Sequence, residues 1–353
     1  MSTDRIIDGD GHVLEDSAGI NKFLPFDTAQ RAPFPPLDHL HSQGSRSTPG
    51  SFQAVGPGEW VEFMDDVGIS SAVLYPTAGL ACGQITNPDW AIATTRAYND
   101  WLQEIFLAKT SRLYGMGLLA LQEPQAAIEE LRRVVLDLKM PGVMLPSNGL
   151  RKHLGSKEYW PIYEEANRLG CAVAIHGGCH NQMGLDDMNA FVPIHALGHP
   201  FGLMISFAGM VFNGVFDRFP NVRFGFLEGG VGWLPFVMER FDRSSETFFD
   251  YSPSQQLVDF GGRKVSDYIR DHIKAGRIYV GCEGGEANLP HTVRFAGSES
   301  VLYSSDFPHE VNNEYCKEEI GEIRDHEELT QEDKEAILFK NAERFYGIAA
   351  ARS

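Results

Sequence analysis

Residues 6–15 read IIDGDGHVLE, an apolar strand signal that runs straight into Asp8, Asp10, His12 and Glu15 with Gly9 and Gly11 between them. Four later apolar runs end in the same kinds of residue. CAVAIHGG carries His176, VRFGFLEGG carries Glu228, IYVGCEGGE carries Glu283, and VLYSSDFPH carries Asp306 and His309. Carboxylates and imidazoles at the ends of buried strands are costly unless something offsets their charge. A divalent cation does so, turning mutual repulsion into coordination, and it also activates a water or a substrate oxygen. These residues therefore point to metal-assisted chemistry, provided that the fold brings their strand ends together.

Eight apolar runs of strand length alternate with helical patterns along the chain. They are RIIDGDGHV, ISSAVLYPT, LYGMGLLAL, PGVMLPS, CAVAIHGG, VRFGFLEGG, IYVGCEGGE and VLYSSDFPH. Near-continuous apolar runs read as parallel strands covered on both faces. The alternation predicts an α/β fold, a (β/α)8 TIM-like barrel formed as a single domain over residues 1–353. In such barrels the chemistry sits where the strands end, which is where the residues above fall.

Helices are expected over WAIATTRAYNDWLQEIFLAKT, over QAAIEELRRVVLDLK behind Pro124, over EYWPIYEEANRLG up to Gly170, and over QEDKEAILFKNAERFYG near the C-terminus. Pro at a first turn and Gly just past an end are the signals used. Two stretches break the alternation. Residues 19–58, rich in Pro, Gly and Ser, read as a lid-like insertion. Residues 181–219 form a long excursion after strand five that holds His195, His199 and the apolar run FGLMISFAGMVF, read as a buried helix.

Composition removes several function classes. The 353 residues carry a formal charge of −18, which disfavours nucleic acid and anionic membrane as partners, since both require a basic surface. No unbroken apolar run of roughly 18 residues suggests a membrane span. MSTDRIID has no basic segment followed by an apolar one, so a cytoplasmic location is expected. Five cysteines without CxxC spacing argue against a disulfide framework or a zinc knuckle. The glycine-rich strand ends lack a phosphate-loop lysine, and no GxSxG elbow for a serine hydrolase occurs.

Taken together, DGDGHVLE, IHGG, FPNVRFGFLEGGVGWLPFVMERFD, YSSDFPHE and ILFKNAERFYG resemble the amidohydrolase superfamily, in the branch that includes aminocarboxymuconate-semialdehyde decarboxylase. The resemblance spans nearly the whole chain. It implies a metal held by Asp10, His12, His176 and Asp306, with His199 returning toward it from the excursion, and a homodimer acting on a small-molecule substrate. Many relatives have His-x-His on the first strand, whereas here Asp10 takes the first place. That shift toward oxygen ligands admits Mn or Fe beside Zn. Many decarboxylase relatives also place a catalytic histidine on the sixth strand, where this chain has Glu228.

On that last departure, hydrolysis by a metal-activated water is the leading expectation, with Glu228, His199 or Asp306 moving the proton. The alternatives are non-oxidative decarboxylation at the same cation, and a dinuclear iron oxygenase in which His199, Glu228 and Glu283 hold a second ion. A barrel used only as a binding module would need a vestigial ligand set. Asp8 reads as structural and Glu15 as a helix-start residue. His180 and His195 read as solvated or satisfied by backbone, although His195 stands four residues before His199 and is placed to share a helix face with it. His309 either touches the site or caps the next helix. Phe23, Phe26, Phe34 and Phe52 either line a lid over an aromatic substrate or pack it down. Arg31, Arg46 and Arg151 either fork a substrate carboxylate or lie on the surface.

Overall fold

The computed structural model describes residues 5–25, 32–40, 55–251 and 258–348. Its centre is one parallel sheet in the order β1 to β8: β1 (Ile7–Val13), β2 (Ser71–Pro76), β3 (Leu113–Leu118), β4 (Gly142–Pro146), β5 (Ala172–His176), β6 (Arg223–Leu227), β7 (Ile278–Cys282) and β8 (Val301–Tyr303). Nearly every strand residue is buried, because side chains pointing inward fill the barrel and those pointing outward meet the helices. The ring closes where β1 meets the segment after β8: His12 N donates to the Phe307 carbonyl at 2.7 Å, and Asp306 N donates to the Asp10 carbonyl at 3.0 Å. This is the expected (β/α)8 barrel.

The register of β1 against β2 slips between Asp8 and Gly11. Such a bulge re-aims the side chains beyond it, here Asp10 and His12. Gly11 has a packing reason as well. A Cβ there would lie 2.3 Å from the ring of Trp60, whose Nε1 donates to the His12 carbonyl at 3.1 Å. The large indole, fully buried in helix Pro57–Val67, thus pins the strand end that carries the acid. Behind it, the Tyr75 and Tyr346 hydroxyls meet at 2.7 Å, and Tyr346 also donates to the Gly9 carbonyl, so the C-terminal helix is tied to the first two strands.

The helices follow their sequence signals. Pro88–Leu102 opens behind Asn87, whose side chain accepts from Trp90 N, and passes into a π turn over Gln103–Leu107. Pro124–Leu136 has its proline in the first turn, and Trp160–Leu169 ends at Gly170 with φ 62°. The last helix is continuous from Gln331 to Tyr346 but includes a π turn at Ala336–Lys340.

Of the insertion, Phe23 packs against the core and Phe34 is buried, so both follow the packing alternative; Phe26, Phe52, Arg31 and Arg46 lie outside the described residues. Leu37 is buried, and its carbonyl accepts from His180 N at 3.2 Å, which fastens this segment to the loop after β5. The excursion contains the helix Phe191–Phe212, which begins ten residues before the run FGLMISFAGMVF and carries Pro200 inside it. That helix is long and apolar enough to cross a membrane by length and composition, yet half of its most apolar window is buried against the barrel.

Candidate active site

The strand ends do converge. Asp10 Oδ1 lies 3.2 Å from His176 Nε2 and 3.7 Å from His12 Nε2, and His12 Nε2 lies 3.4 Å from Asp306 Oδ1. Asp10, His12 and His176 are each at most 2% exposed. The backbone sets the histidine tautomers. His12 Nδ1 is 2.9 Å from the Pro76 carbonyl, which can only accept, so Nδ1 carries the proton and the Nε2 lone pair faces the carboxylates. His176 Nδ1 similarly donates to the Gly177 carbonyl at 3.0 Å, leaving Nε2 toward Asp10.

Glu228 closes the other side. Its Oε2 is 3.1 Å from His176 Nδ1 and 3.3 Å from His199 Nδ1. Glu228 has φ +61° and Asp306 has φ +55°. A non-glycine residue in this left-handed region carries about 1–3 kcal/mol of strain, of a kind that gathers at functional sites. The distortion turns each carboxylate in from just beyond the end of its strand. His309, three residues after Asp306, belongs to the site and caps no helix: its Nδ1 is 2.7 Å from Asp306 Oδ1, its Nε2 is 2.9 Å from Thr77 Oγ1, and its ring stacks on His12 at 4.0 Å.

Two histidines read as solvated are placed otherwise. The helix starts at Phe191, so His195 and His199 stand one turn apart on one face with their rings 4.8 Å apart. His180 is buried, with Nδ1 3.3 Å from Asp38 Oδ2 and its ring 4.8 Å from that of His199. Glu15 is a helix-start residue, but for a different element than its neighbours suggest: it accepts from the backbone N–H groups of Thr77, Ala78 and Gly79 at 2.8–3.1 Å, while Asp16 caps the helix that follows β1. Asp8 is structural, accepting from Ser305 N at 2.9 Å and Ser305 Oγ at 2.6 Å. Glu283 stands exposed at the rim of the same cavity and joins none of the ligand groups described below.

The electrostatics are those of a site short of positive charge. Burial, then Glu228 and Asp10, push the Asp306 carboxyl well above the usual range. Burial also raises Asp10, and burial together with neighbouring His309 and His176 holds His12 neutral. At His176 burial opposes charge, but Asp10 and Glu228 on either side outweigh it and lift the imidazole to about 9. Burial likewise opposes charge on Glu228, and His199 and His176 outweigh it, holding Glu228 ionised.

Four buried polar atoms at this centre, His12 Nε2, His199 Nδ1, Glu228 Oε2 and Asp306 Oδ1, make no hydrogen bond. Each such atom costs about 1–3 kcal/mol. They belong to sets of ligand atoms lying within 4.8 Å of one another: Asp10, His12 and His176; His12, Glu228, Asp306 and His309; His195, His199 and Glu228. Orphaned acceptors and imidazole lone pairs crowded in this way fit a divalent cation. The Asp10, His12, His176 and Asp306 donor set mixes nitrogen and oxygen, which suits Mn, Fe or Zn.

The cavity over this centre has a volume of about 550 Å³. Its walls include His195, Glu283, Glu310, Tyr315 and Glu319, and no Lys or Arg among the described residues. Arg151 lines a different cavity, of about 540 Å³, with Gln122 and Asn181. Sequence reasoning missed Thr77, Asp38, Glu310 and Glu319. Thr77 ends the legible run ISSAVLYPT, but nothing local marks the others.

The comparisons agree with this geometry. The chain is 29% identical over 285 residues to 2-amino-3-carboxymuconate-6-semialdehyde decarboxylase of Dictyostelium discoideum, covering 80% of this chain and 74% of that protein. It is 25% identical over 309 residues to gamma-resorcylate decarboxylase of Polaromonas sp., covering 82% and 86%. Among solved structures, 5-carboxyvanillate decarboxylase from Sphingomonas paucimobilis superimposes with a TM-score of 0.71 at 21% identity, over 98% of this chain and 99% of that one. A dihydroxybenzoic acid decarboxylase from Polaromonas sp. JS666, solved with manganese and 2-nitroresorcinol, does so at 0.69 and 21%, over 97% and 96%. The amidohydrolase family model matches residues 7–348, from β1 to just past the last helix, and the chain therefore belongs to the amidohydrolase family.

Proposed function

We propose that this protein is a metal-dependent, non-oxidative decarboxylase acting on a small aromatic or conjugated carboxylic acid. The observation that carries the reading is that the curated relatives covering 70–82% of the chain are decarboxylases. Hydrolysis, the leading expectation from Glu228, ranks behind it. With no Lys or Arg among the described walls of the cavity, a bound cation is what would neutralise a substrate carboxylate there.

Asp10, His12, His176 and Asp306 would hold the cation. A bound divalent ion supplies the positive charge that binds a carboxylate with a neighbouring oxygen and withdraws electrons from the carbon between them. The protein's own groups do the rest. When the carbon–carboxylate bond breaks, its electron pair stays on the ring carbon and must take up a proton. Asp306 and His309, 2.7 Å apart with His309 braced by Thr77, are the groups placed at the cavity to carry that proton to the ring carbon. Glu228 stays ionised and orients His176 and His199.

The test is turnover of 2,6-dihydroxybenzoate and 5-carboxyvanillate by manganese-loaded protein in D₂O. Release of carbon dioxide with one deuterium at the vacated carbon is expected. A product that gains ¹⁸O from labelled water without releasing carbon dioxide would return the assignment to hydrolysis.

A further inference from the structure

One wall of the cavity over the centre has no assigned role. Glu283, Glu310 and Glu319 stand in it with Tyr315, and no Lys or Arg among the described residues lines the cavity. We propose that this wall selects a substrate bearing an alkylammonium group, with Glu319 and Glu283 as the residues that receive it.

The first observation is a contrast among buried acids. Glu130, Glu165 and Glu319 are the buried glutamates among the described residues. Glu130 pairs with Arg133 at 2.6 Å, and Glu165 with Arg132 at 2.8 Å, as a carboxylate taken out of water requires. Glu319 is the exception. It is 6% exposed, it has no Lys, Arg or His partner among the described residues, and its Oε2 makes no hydrogen bond. Burial, with Glu283 and Glu322 nearby, pushes its carboxyl up to about 9. Burial, then Asp306 and Glu228, raises Glu283 as well. A positive charge in the cavity reverses both effects, and a neutral or anionic substrate arm does not.

The fold builds this wall from two elements. Glu319 is among the buried residues of helix Asn313–Asp325, and Gly284, in the turn after β7, packs on it: a Cβ there would lie 2.3 Å from Glu319 Cβ, and φ is +82°. Glycine thus lets the turn that carries Glu283 close onto the helix that carries Glu319. The type of cation follows from the spread of the carboxyls. The sets of ligand atoms that converge closely enough for a metal ion include none of Glu283, Glu310 and Glu319, whereas an ammonium has three N–H donors that can reach separate acceptors. Tyr315, one turn before Glu319 on the same helix, adds an aromatic ring to the wall, a surface that attracts organic cations. The nitrogen belongs on an alkyl carbon, because an amine bonded directly to an aromatic ring is uncharged near neutral pH. The inference rests on the decarboxylase reading for the other end of the substrate, its carboxylate at the strand-end centre.

The probes are matched pairs of 2,6-dihydroxybenzoates carrying aminomethyl or ethyl at position 3 or 4, equal in size and different in charge. Binding to manganese-loaded, full-length protein is measured by calorimetry at low and high salt, and carbon dioxide release is followed for the same compounds. In at least one pair the aminomethyl compound should bind about 10-fold more tightly than its ethyl partner, the value of one charge-assisted hydrogen bond, and the ratio should shrink as salt rises. Glu319→Gln and, at the exposed rim, Glu283→Gln should each bring the ratio toward unity; the rim variant keeps the test decisive if the buried one folds poorly. A ratio below about twofold in both pairs, a ratio that the variants retain, or no binding of either aminomethyl compound overturns the ammonium site. Carbon dioxide released without any preference removes this inference and leaves decarboxylation standing. A preference lost in the variants, with no carbon dioxide from any probe, keeps the ammonium site and overturns the decarboxylase reading.

Discussion

Gly177→Ala asks whether the placement of His199 sets the activity. Gly177 follows β5 directly, and an added Cβ would lie 2.3 Å from His199 Nδ1 and 2.9 Å from its Cβ and Cγ. Ordinary contacts begin near 3.4 Å, so the difference, 3.4 − 2.3, requires the ring to retreat by about 1 Å. The backbone of His199 is fixed within a 22-residue helix, so the side chain must give. Gly177 is not in the left-handed region, and alanine brings no backbone strain of its own. The overpacking should cost about 1–3 kcal/mol of stability. A displacement of that size at a group beside the reacting atoms is worth about 100-fold in rate, equivalent to about 2.7 kcal/mol of barrier. The assay is kcat/KM for the best carboxylate substrate, with thermal melting and metal content measured on the same preparation. A folded variant within twofold of the parent would refute the claim that His199 must sit where the structure puts it.

Four further outcomes are expected. Asp306→Asn should lower turnover by about 10²–10⁴-fold, the range for one positioned proton-transfer group; single-turnover deuterium incorporation checks this, and normal incorporation would remove Asp306 from the proton path. Thr77→Val deletes the hydroxyl 2.9 Å from His309 Nε2 and should cost about 10–100-fold in activity, as for other groups that orient an active-site histidine; unchanged steady-state kinetics would refute it. Chelator-stripped protein should melt earlier, and Mn²⁺ at about 100 times its Kd should restore about 2.7 kcal/mol, measured by calorimetry; equal melting with and without metal would oppose a resident cation. Away from the centre, hydrogen bonds from Arg168 and Arg132 hold Glu165 down to about 2. Its folded pKa lies below its unfolded one, so its contribution is present above about pH 4.5 and disappears as pH falls toward 2. Glu165→Gln should flatten that part of a melting-temperature profile, and an unchanged slope would show that the pair contributes nothing.

What the sequence made legible and what it did not divide along a physical line. The barrel could be read because most strands are apolar on both faces and several helices carry boundary signals, Pro124 at a start and Gly170 at an end among them, so local chemistry and global fold agree. Asp10, His12, His176, Glu228 and Asp306 could be read for the opposite reason: they are polar letters at the ends of apolar runs, a conflict that only a site resolves. The misjudged histidines sit where a decision depended on tertiary context. His195 read as solvated because it stands in a polar stretch ahead of the apolar run, yet the helix starts at Phe191 and continues through Pro200, which puts His195 one turn before His199. His180 and Asp38 are separated by 142 residues, and no local signal pairs them. Thr77 was in view as the last letter of a strand, but its partner His309 is 232 residues away.

The left-handed backbone at Glu228 and Asp306 was also beyond local reading, since glutamate has no intrinsic preference for that conformation. Strain of that kind persists only where surrounding contacts over-determine it. Here the restraints are identifiable. Asp306 N is bonded to the Asp10 carbonyl, and His309 N is bonded back to the Asp306 carbonyl at 2.9 Å. Beside these, Asp8 grips Ser305 through both its backbone and its hydroxyl. The buried acid one layer below the ligands therefore fixes the turn that aims Asp306. Asp8→Asn should accordingly lose activity through misplacement of Asp306, with its substrate affinity changed less than its turnover. A variant that loses only stability, with kcat per folded molecule intact, would show that the turn holds its shape without Asp8.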